Sequence, residues 1–301
     1  MTKVRDFLGP YRLARLIRVG SSCQVWEAIE SQTQDRYALK VLRPDHATDR
    51  AELSYLKNEY EIAKSLTHPN IIRIYDLVLE GPTPFLVLEL FSELNMKQAL
   101  RQGPESIAYM LDKIIIQAAE ALYYLHSKGF VHCDVKPDNF LVSREGEVKL
   151  IDFTISQKMK TGLSRLFSRR SKNIQGTRSY MSPEQIRGKM LDQRSDIYSF
   201  GCVLFEAVTG KLPYTGDSPN DLLQKHLSAP IPSPLVINDN ITPEFAAIIR
   251  SMMAKRPEDR PENMWDLVKT FRATRIFKSP PRIPEKSIFD AFPTAGRVQS
   301  Q

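Results

Sequence analysis

The sequence predicts an α+β fold of two lobes: a small antiparallel β lobe carrying one helix, then a larger, mainly helical lobe. Three observations carry this. The 301 residues are enough for about two domains, each with its own core. Residues 11–90 contain mostly short β-like runs, and from residue 96 onward apolar residues recur at helical spacing. With 42% apolar and 26% charged residues, the composition is that of an ordered soluble chain and excludes wholesale disorder.

The elements follow in order. Residues 1–10 form an N-terminal extension that carries charges but lacks the apolar core of a secretory signal. Strands are expected over 13–19, 25–30, 37–42, 71–79 and 85–90, where β-branched and aromatic residues cluster in short runs, with a helix over 51–66. These make a β lobe over 11–90. Helices are expected over 107–127, 195–209, 243–254 and 262–272, interrupted by strands over 140–142 and 148–151, and make a helical lobe over 91–275. Ser279-Pro280-Pro281-Arg282-Ile283-Pro284 falls in a C-terminal tail, 276–301, that lacks periodicity. No window approaches the roughly 18 apolar residues of a membrane span. Cys23, Cys133 and Cys202 lie far apart without zinc-type spacing, which points to a reducing, cytoplasmic setting.

Candidate chemistry begins in Tyr37-Ala38-Leu39-Lys40-Val41-Leu42. Alternation puts Lys40 on one face with Ala38 and Leu42, and an inward lysine needs an anionic partner. In the following helix, Glu59 shares a face with Ile62, Ala63 and Leu66, whereas Glu61 falls with Lys64, Ser65 and His68. Glu59 is therefore the better partner. Taken alone, Lys40 and Glu59 also read as two unrelated solvated charges.

Further motifs change that balance. His132-Cys133-Asp134-Val135-Lys136-Pro137-Asp138-Asn139 follows a long helix, Ile151-Asp152-Phe153-Thr154 ends the next strand, and Met181-Ser182-Pro183-Glu184 comes later. With Lys40, these resemble in order and spacing the signature of eukaryotic-type (Hanks-type) serine/threonine protein kinases. The resemblance runs from about residue 11 to 272. Through Tyr214-Thr215-Gly216-Asp217-Ser218-Pro219 it points to the bacterial branch.

It implies a bilobal kinase fold, ATP as cofactor with Mg²⁺ (Mn²⁺ being the alternative), and protein Ser/Thr hydroxyls as acceptors. Lys40 would hold the α/β-phosphates, oriented by Glu59, and Asn139 and Asp152 would ligate the metal. Asp134 would accept the substrate hydroxyl proton, with Lys136 near the transferring phosphate and Thr177 packed beside both. Val19, Gly20, Val25, Ala38, Glu89, Phe91 and Leu141 match family positions around the nucleotide, with Leu88 as gatekeeper. Glu184 and Arg260 match a buried family ion pair.

Three positions depart from the pattern. Gly20 is the one glycine left of the phosphate-covering G-x-G-x-x-G. Cys133 replaces an arginine that, in relatives, receives a phosphate on the activation loop, and Thr154 stands in the glycine place of D-F-G, where a β-branched residue restricts the backbone. These motivate an alternative function, a pseudokinase acting as a nucleotide-binding scaffold.

The net charge of +7 sits wholly in residues 153–183, which hold seven Lys and Arg and no Asp or Glu; the remaining residues carry 35 of each sign. A localised excess argues against a nucleic-acid footprint. Met159, Leu163, Leu166 and Phe167 give it a short amphipathic pattern. The segment reads as a solvated loop, as a site of autophosphorylation at Thr161, Ser164, Ser168 or Ser171, or as a contact for an acidic partner or anionic membrane. Homodimerisation also stays open.

Overall fold

In the computed structural model, which describes residues 7–81, 83–159, 176–285 and 287–291, the chain divides into two units. One is Met1–Ser92 with Asp152–Thr154, the other Glu93–Ile151 with Ile155–Gln301. Strands of the first unit are β1 (Phe7–Leu8), β2 (Tyr11–Val19), β3 (Cys23–Glu30), β4 (Arg36–Leu42), β5 (Ile74–Val78) and β6 (Phe85–Glu89), with helix α1 (Arg50–Ala63) between β4 and β5. They form one antiparallel sheet in the order β1-β2-β3-β4-β6-β5.

The two-residue period sorts the faces. Leu39 and Val41 of β4 join Ala28, Phe85 and Val87 in a buried cluster covered by Tyr11, Leu13, Trp26 and Val78. Ala38 and Lys40 therefore face the other way, with Val25 and Leu86 directly across from Lys40 and Leu88 across from Ala38. Glu27, also buried, is held by Arg15 at 3.1 Å and by Arg36, so its charge is compensated from the two flanking strands. Helix α1 starts where the Asp49 carboxylate accepts the N–H groups of Ala51 and Glu52, and it buries Leu56, Glu59, Ile62 and Ala63.

The second unit contains β7 (Leu94–Asn95), α2 (Met96–Leu100), α3 (Glu105–Ala108), α4 (Leu111–Ser127), β8 (Phe130–Val131), β9 (Phe140–Val142), β10 (Val148–Leu150) and β11 (Gln157–Lys158). After these come α5 (Pro183–Ile186), α6 (Gln193–Thr209), α7 (Pro219–Ser228), α8 (Pro243–Met252) and α9 (Met264–Ala273). The single helix expected over 107–127 is in fact two, broken at Tyr109–Met110. Ile107, Met110, Leu111 and Ile114 are all buried, so the apolar spacing continues through the break and gives no sign of it.

Helix α6 is the centre of this unit and is buried from Ser195 to Thr209. Gly201 lets α8 approach: a Cβ there would lie 2.9 Å from the Cβ of Met252. Gly210, at φ 71°, ends α6 in the left-handed conformation that glycine adopts most readily. The segment after α9 is tied back, with the Lys278 N–H donating to the Asn240 carbonyl at 2.7 Å and Phe277 bridging to Ile241. Among the described residues no helix is long and apolar enough to cross a membrane.

A buried polar cluster next to α6 makes stability depend on pH. His226 is fully buried, its Nδ1 3.0 Å from the Tyr198 hydroxyl, and Lys255 donates to its carbonyl at 2.9 Å. Burial, and then the charge of Lys255, push the imidazole pKa down to about 4 from 6.5. The unfolded chain thus binds a proton near pH 6.5 that the folded chain refuses until about pH 4. Stability is complete above pH 6.5 and falls as pH drops through that window, by about 3 kcal/mol in all. Thermal melts between pH 7.5 and 5 should show a steeper decline for wild type than for His226→Gln; parallel curves would contradict this origin.

Candidate active site

Each unit brings together part of the expected site. In the first, β4 aims Lys40 at α1, and its Nζ donates to Glu59 Oε2 at 2.6 Å. Glu61 is exposed and pairs with Lys64 instead. Lys40 also reaches Asp152 Oδ1 and Thr154 Oγ1, both at 3.2 Å. Burial works to lower the Lys40 pKa, but the charges of Asp152 and Glu59 outweigh it and raise it, so the ammonium stays protonated. Asp152 sits at φ 68°, an uncommon conformation for a non-glycine residue and one that tends to occur at functional sites.

In the second unit the turn after β8 is fixed from below. Asp196, buried at the start of α6, accepts the N–H groups of His132 at 2.7 Å and Cys133 at 2.9 Å, and lies 2.8 Å from His126 Nε2. Gln185 Nε2 donates to the Cys133 carbonyl at 2.7 Å. These contacts support Cys133 at φ 68°. The Asp134 N–H donates to His132 Nδ1, which leaves Nε2–H to donate to the Ile151 carbonyl at 3.1 Å.

Asp134 is held from several sides as a result. Lys136 Nζ donates to its Oδ2 at 2.5 Å, while the Thr177 N–H and hydroxyl each donate to Oδ1 at 2.9 Å. Lys136 also donates to Thr177 Oγ1 at 2.9 Å, which closes a triangle. Asn139, fully buried, uses its Nδ2 on the Asp134 carbonyl at 2.8 Å. Its Oδ1 is buried without a hydrogen-bond partner, a costly arrangement unless something else binds that oxygen. A hard cation fits there, since it takes carboxamide oxygens of the kind that Asn139 offers.

The remaining expected positions divide between the units. Val25 and Ala38 lie on the Lys40 face of the sheet, and Val19 is exposed at the end of β2. The Gly20 N–H is committed to the Cys23 carbonyl at 2.8 Å, and a Cβ at Gly20 would sit 3.1 Å from that oxygen. Glu89 gives its N–H to the Arg73 carbonyl at 2.8 Å. Phe91 is half-buried in the first unit, and Leu141 lies in β9 of the second.

Cys133, in the arginine place, is buried between Gln157 Nε2 at 3.3 Å and the Val131 carbonyl at 3.5 Å, and burial pushes its thiol pKa up. It is a neutral packing residue. Residues 160–175, which carry most of the basic segment and its amphipathic pattern, lie outside the described residues. Sequence reasoning missed Asp196 as the clamp on residues 132 and 133; an aspartate in the first turn of a largely buried helix was the available signal. It also missed Asn58, whose Nδ2 donates to the Thr154 carbonyl at 3.0 Å, and the polar role of Thr154 itself.

Comparison with known proteins gives a consistent result. Residues 11–272 match the protein kinase domain family. A probable serine/threonine-protein kinase of Streptomyces coelicolor is 33% identical over 264 residues, covering 86% of this chain and 39% of its own length. The serine/threonine-protein kinase PknB of Mycolicibacterium smegmatis is 34% identical over 266 residues, covering 86% and 42%. PknA of Mycobacterium tuberculosis is 34% identical over 286 residues, covering 91% and 63%. The chain thus spans about two fifths of the length of the first two.

Proposed function

The chain belongs to the protein kinase family, and on that premise we propose that it is a bacterial-type serine/threonine kinase transferring the γ-phosphoryl group of ATP to protein Ser and Thr hydroxyls, its own included. The observation that carries this reading is the Asp134 carboxylate, held by Lys136 and Thr177, with Asn139 fixing the Asp134 carbonyl, so that it can accept a proton from an incoming hydroxyl. Phosphoryl transfer asks little covalent chemistry of a protein and depends on positioning and charge neutralisation. Lys40, kept cationic by Asp152 and Glu59, supplies positive charge for the nucleotide's α/β-phosphates. Lys136 supplies another beside Asp134.

Asn139 and Asp152 would hold a divalent cation, Mg²⁺ in preference to Mn²⁺; when bound it neutralises phosphate charge. Val19, Gly20, Val25, Ala38, Glu89, Phe91 and Leu141 would contact the nucleotide. We place the activity in the cytoplasm, where ATP is available, and assign autophosphorylation to Thr161, Ser164, Ser168 or Ser171 within the basic segment. All positions the chemistry needs are filled by suitable residue types, which speaks against a scaffold without turnover. The deciding test is incubation with labelled ATP and Mg²⁺ beside Asp134→Asn and Asp152→Asn. Label in wild type alone supports the proposal; equal label in all three removes it.

The neutral, buried Cys133 cannot pair with a phosphate, so activity should not depend on one docked there. Phosphatase-treated protein is expected to keep its initial rate within about twofold. Complete loss, reversed by rephosphorylation of one loop residue, would overturn this.

A further inference from the structure

We infer that Thr154 is a positioning residue whose hydroxyl latches helix α1 to the 152–154 segment and holds Lys40, Glu59 and Asp152 in one hydrogen-bonded cluster. The inference rests on the phosphoryl-transfer reading, because that reading gives the three side chains their roles. Its physical basis is the position of one oxygen atom. Thr154 Oγ1 lies 2.5 Å from Asp152 Oδ1, 3.1 Å from Glu59 Oε2 and 3.2 Å from Lys40 Nζ.

A hydroxyl has one proton to give and two lone pairs to receive with. It accepts from the ammonium and donates to one carboxylate at a time, with either carboxylate in reach. The hydroxyl therefore still has a donor for Glu59 when Asp152 is engaged elsewhere. The backbone of the same residue is tied to α1 as well, because Asn58 Nδ2 donates to the Thr154 carbonyl at 3.0 Å. Two consecutive helix residues, Asn58 and Glu59, thus grip one residue of the 152–154 segment, one by its backbone and one by its side chain.

Glycine at this position could make only the backbone contact. Threonine adds the hydroxyl, and its branched Cβ limits the directions in which that hydroxyl points. The Lys–Glu pair of a kinase must be assembled for transfer, and phosphorylation of the activation loop is one way of controlling that assembly. A chain that assembles the pair through a residue of its own has less need of a loop phosphate, in keeping with the neutral residue at position 133.

The test compares the wild-type chain with Thr154→Val, which keeps the branched shape without the hydroxyl, and Thr154→Ser, which keeps the hydroxyl. Thr154→Ala replaces the valine variant should the latter not fold. A hydrogen bond to a charged partner shifts an equilibrium by about tenfold or more. Hydrogen exchange across α1 in the nucleotide-free protein should therefore be about tenfold faster in Thr154→Val, with serine close to wild type. In steady-state transfer from labelled ATP, kcat/KM for ATP should fall about tenfold in Thr154→Val, with serine restoring most of it.

Unchanged α1 exchange in the valine variant overturns the latch, and so does a serine variant that behaves like valine, which would assign the effect to shape. Faster exchange with unchanged transfer overturns the positioning role. Wild type that transfers no more label than Asp134→Asn removes the proposed function instead, while the exchange comparison still decides the latch.

Discussion

Asp134→Asn is expected to lower kcat about a thousandfold, the size of effect associated with losing a positioned general base. The substitution keeps the volume of the side chain but replaces one carboxylate oxygen with an NH₂ group. That group either faces the Lys136 ammonium or the Thr177 N–H and hydroxyl, all of them donors in the native arrangement. The amide can no longer take the proton of an incoming hydroxyl. Nucleotide contacts assigned to Lys40 and the sheet are untouched, so KM for ATP should change by less than about threefold. Steady-state kinetics with labelled ATP, beside fluorescent-nucleotide binding to confirm an intact pocket, measures both quantities. A variant that keeps more than about a tenth of the wild-type kcat would remove Asp134 from the base role.

Some of this site could be read from local pattern. The alternation in β4 placed Lys40 opposite the Leu39 and Val41 face, and the helical spacing of α1 selected Glu59 over Glu61; the 2.6 Å contact agrees with both. Such inferences succeed because one element's own period decides them. Asp196 was not legible in the same way, since the N–H groups it accepts lie 64 and 63 residues earlier in the chain and no local rule connects them. The break between α3 and α4 was hidden because Ala108, Tyr109 and Met110 are all compatible with a helix and no Pro or Gly marks the boundary. Thr154 was read only for what its branched side chain does to the backbone. Its hydroxyl bonds to residues from two other elements, and only tertiary structure reveals that.

Arg260→Ala should cost about 3–5 kcal/mol of stability, enough to threaten folding before any chemistry is tested. The guanidinium is fully buried, and all five of its donors are used. Nη1 and Nη2 hold the Glu184 carboxylate at 2.7 and 2.9 Å, and Nε donates to the Ala254 carbonyl at 2.7 Å. The two remaining protons go to the carbonyls of Arg194 at 2.7 Å and Lys255 at 3.2 Å. Burial works to raise the Glu184 pKa, but the hydrogen bonds and charge of Arg260 outweigh it and hold the carboxyl below its ordinary value. Alanine would leave that carboxylate buried with Ser195 as its remaining side-chain donor and strip three carbonyls of a partner. For a unit of this size the loss corresponds to a drop in Tm of about 10 °C. Lysine keeps the charge but has three donors for five acceptors, so Arg260→Lys should recover only part of the loss. Combining Arg260→Ala with Glu184→Gln separates the causes: if the uncompensated buried charge dominates, the double variant melts above Arg260→Ala, whereas a double variant that melts lower would assign the loss to the orphaned carbonyls and the cavity.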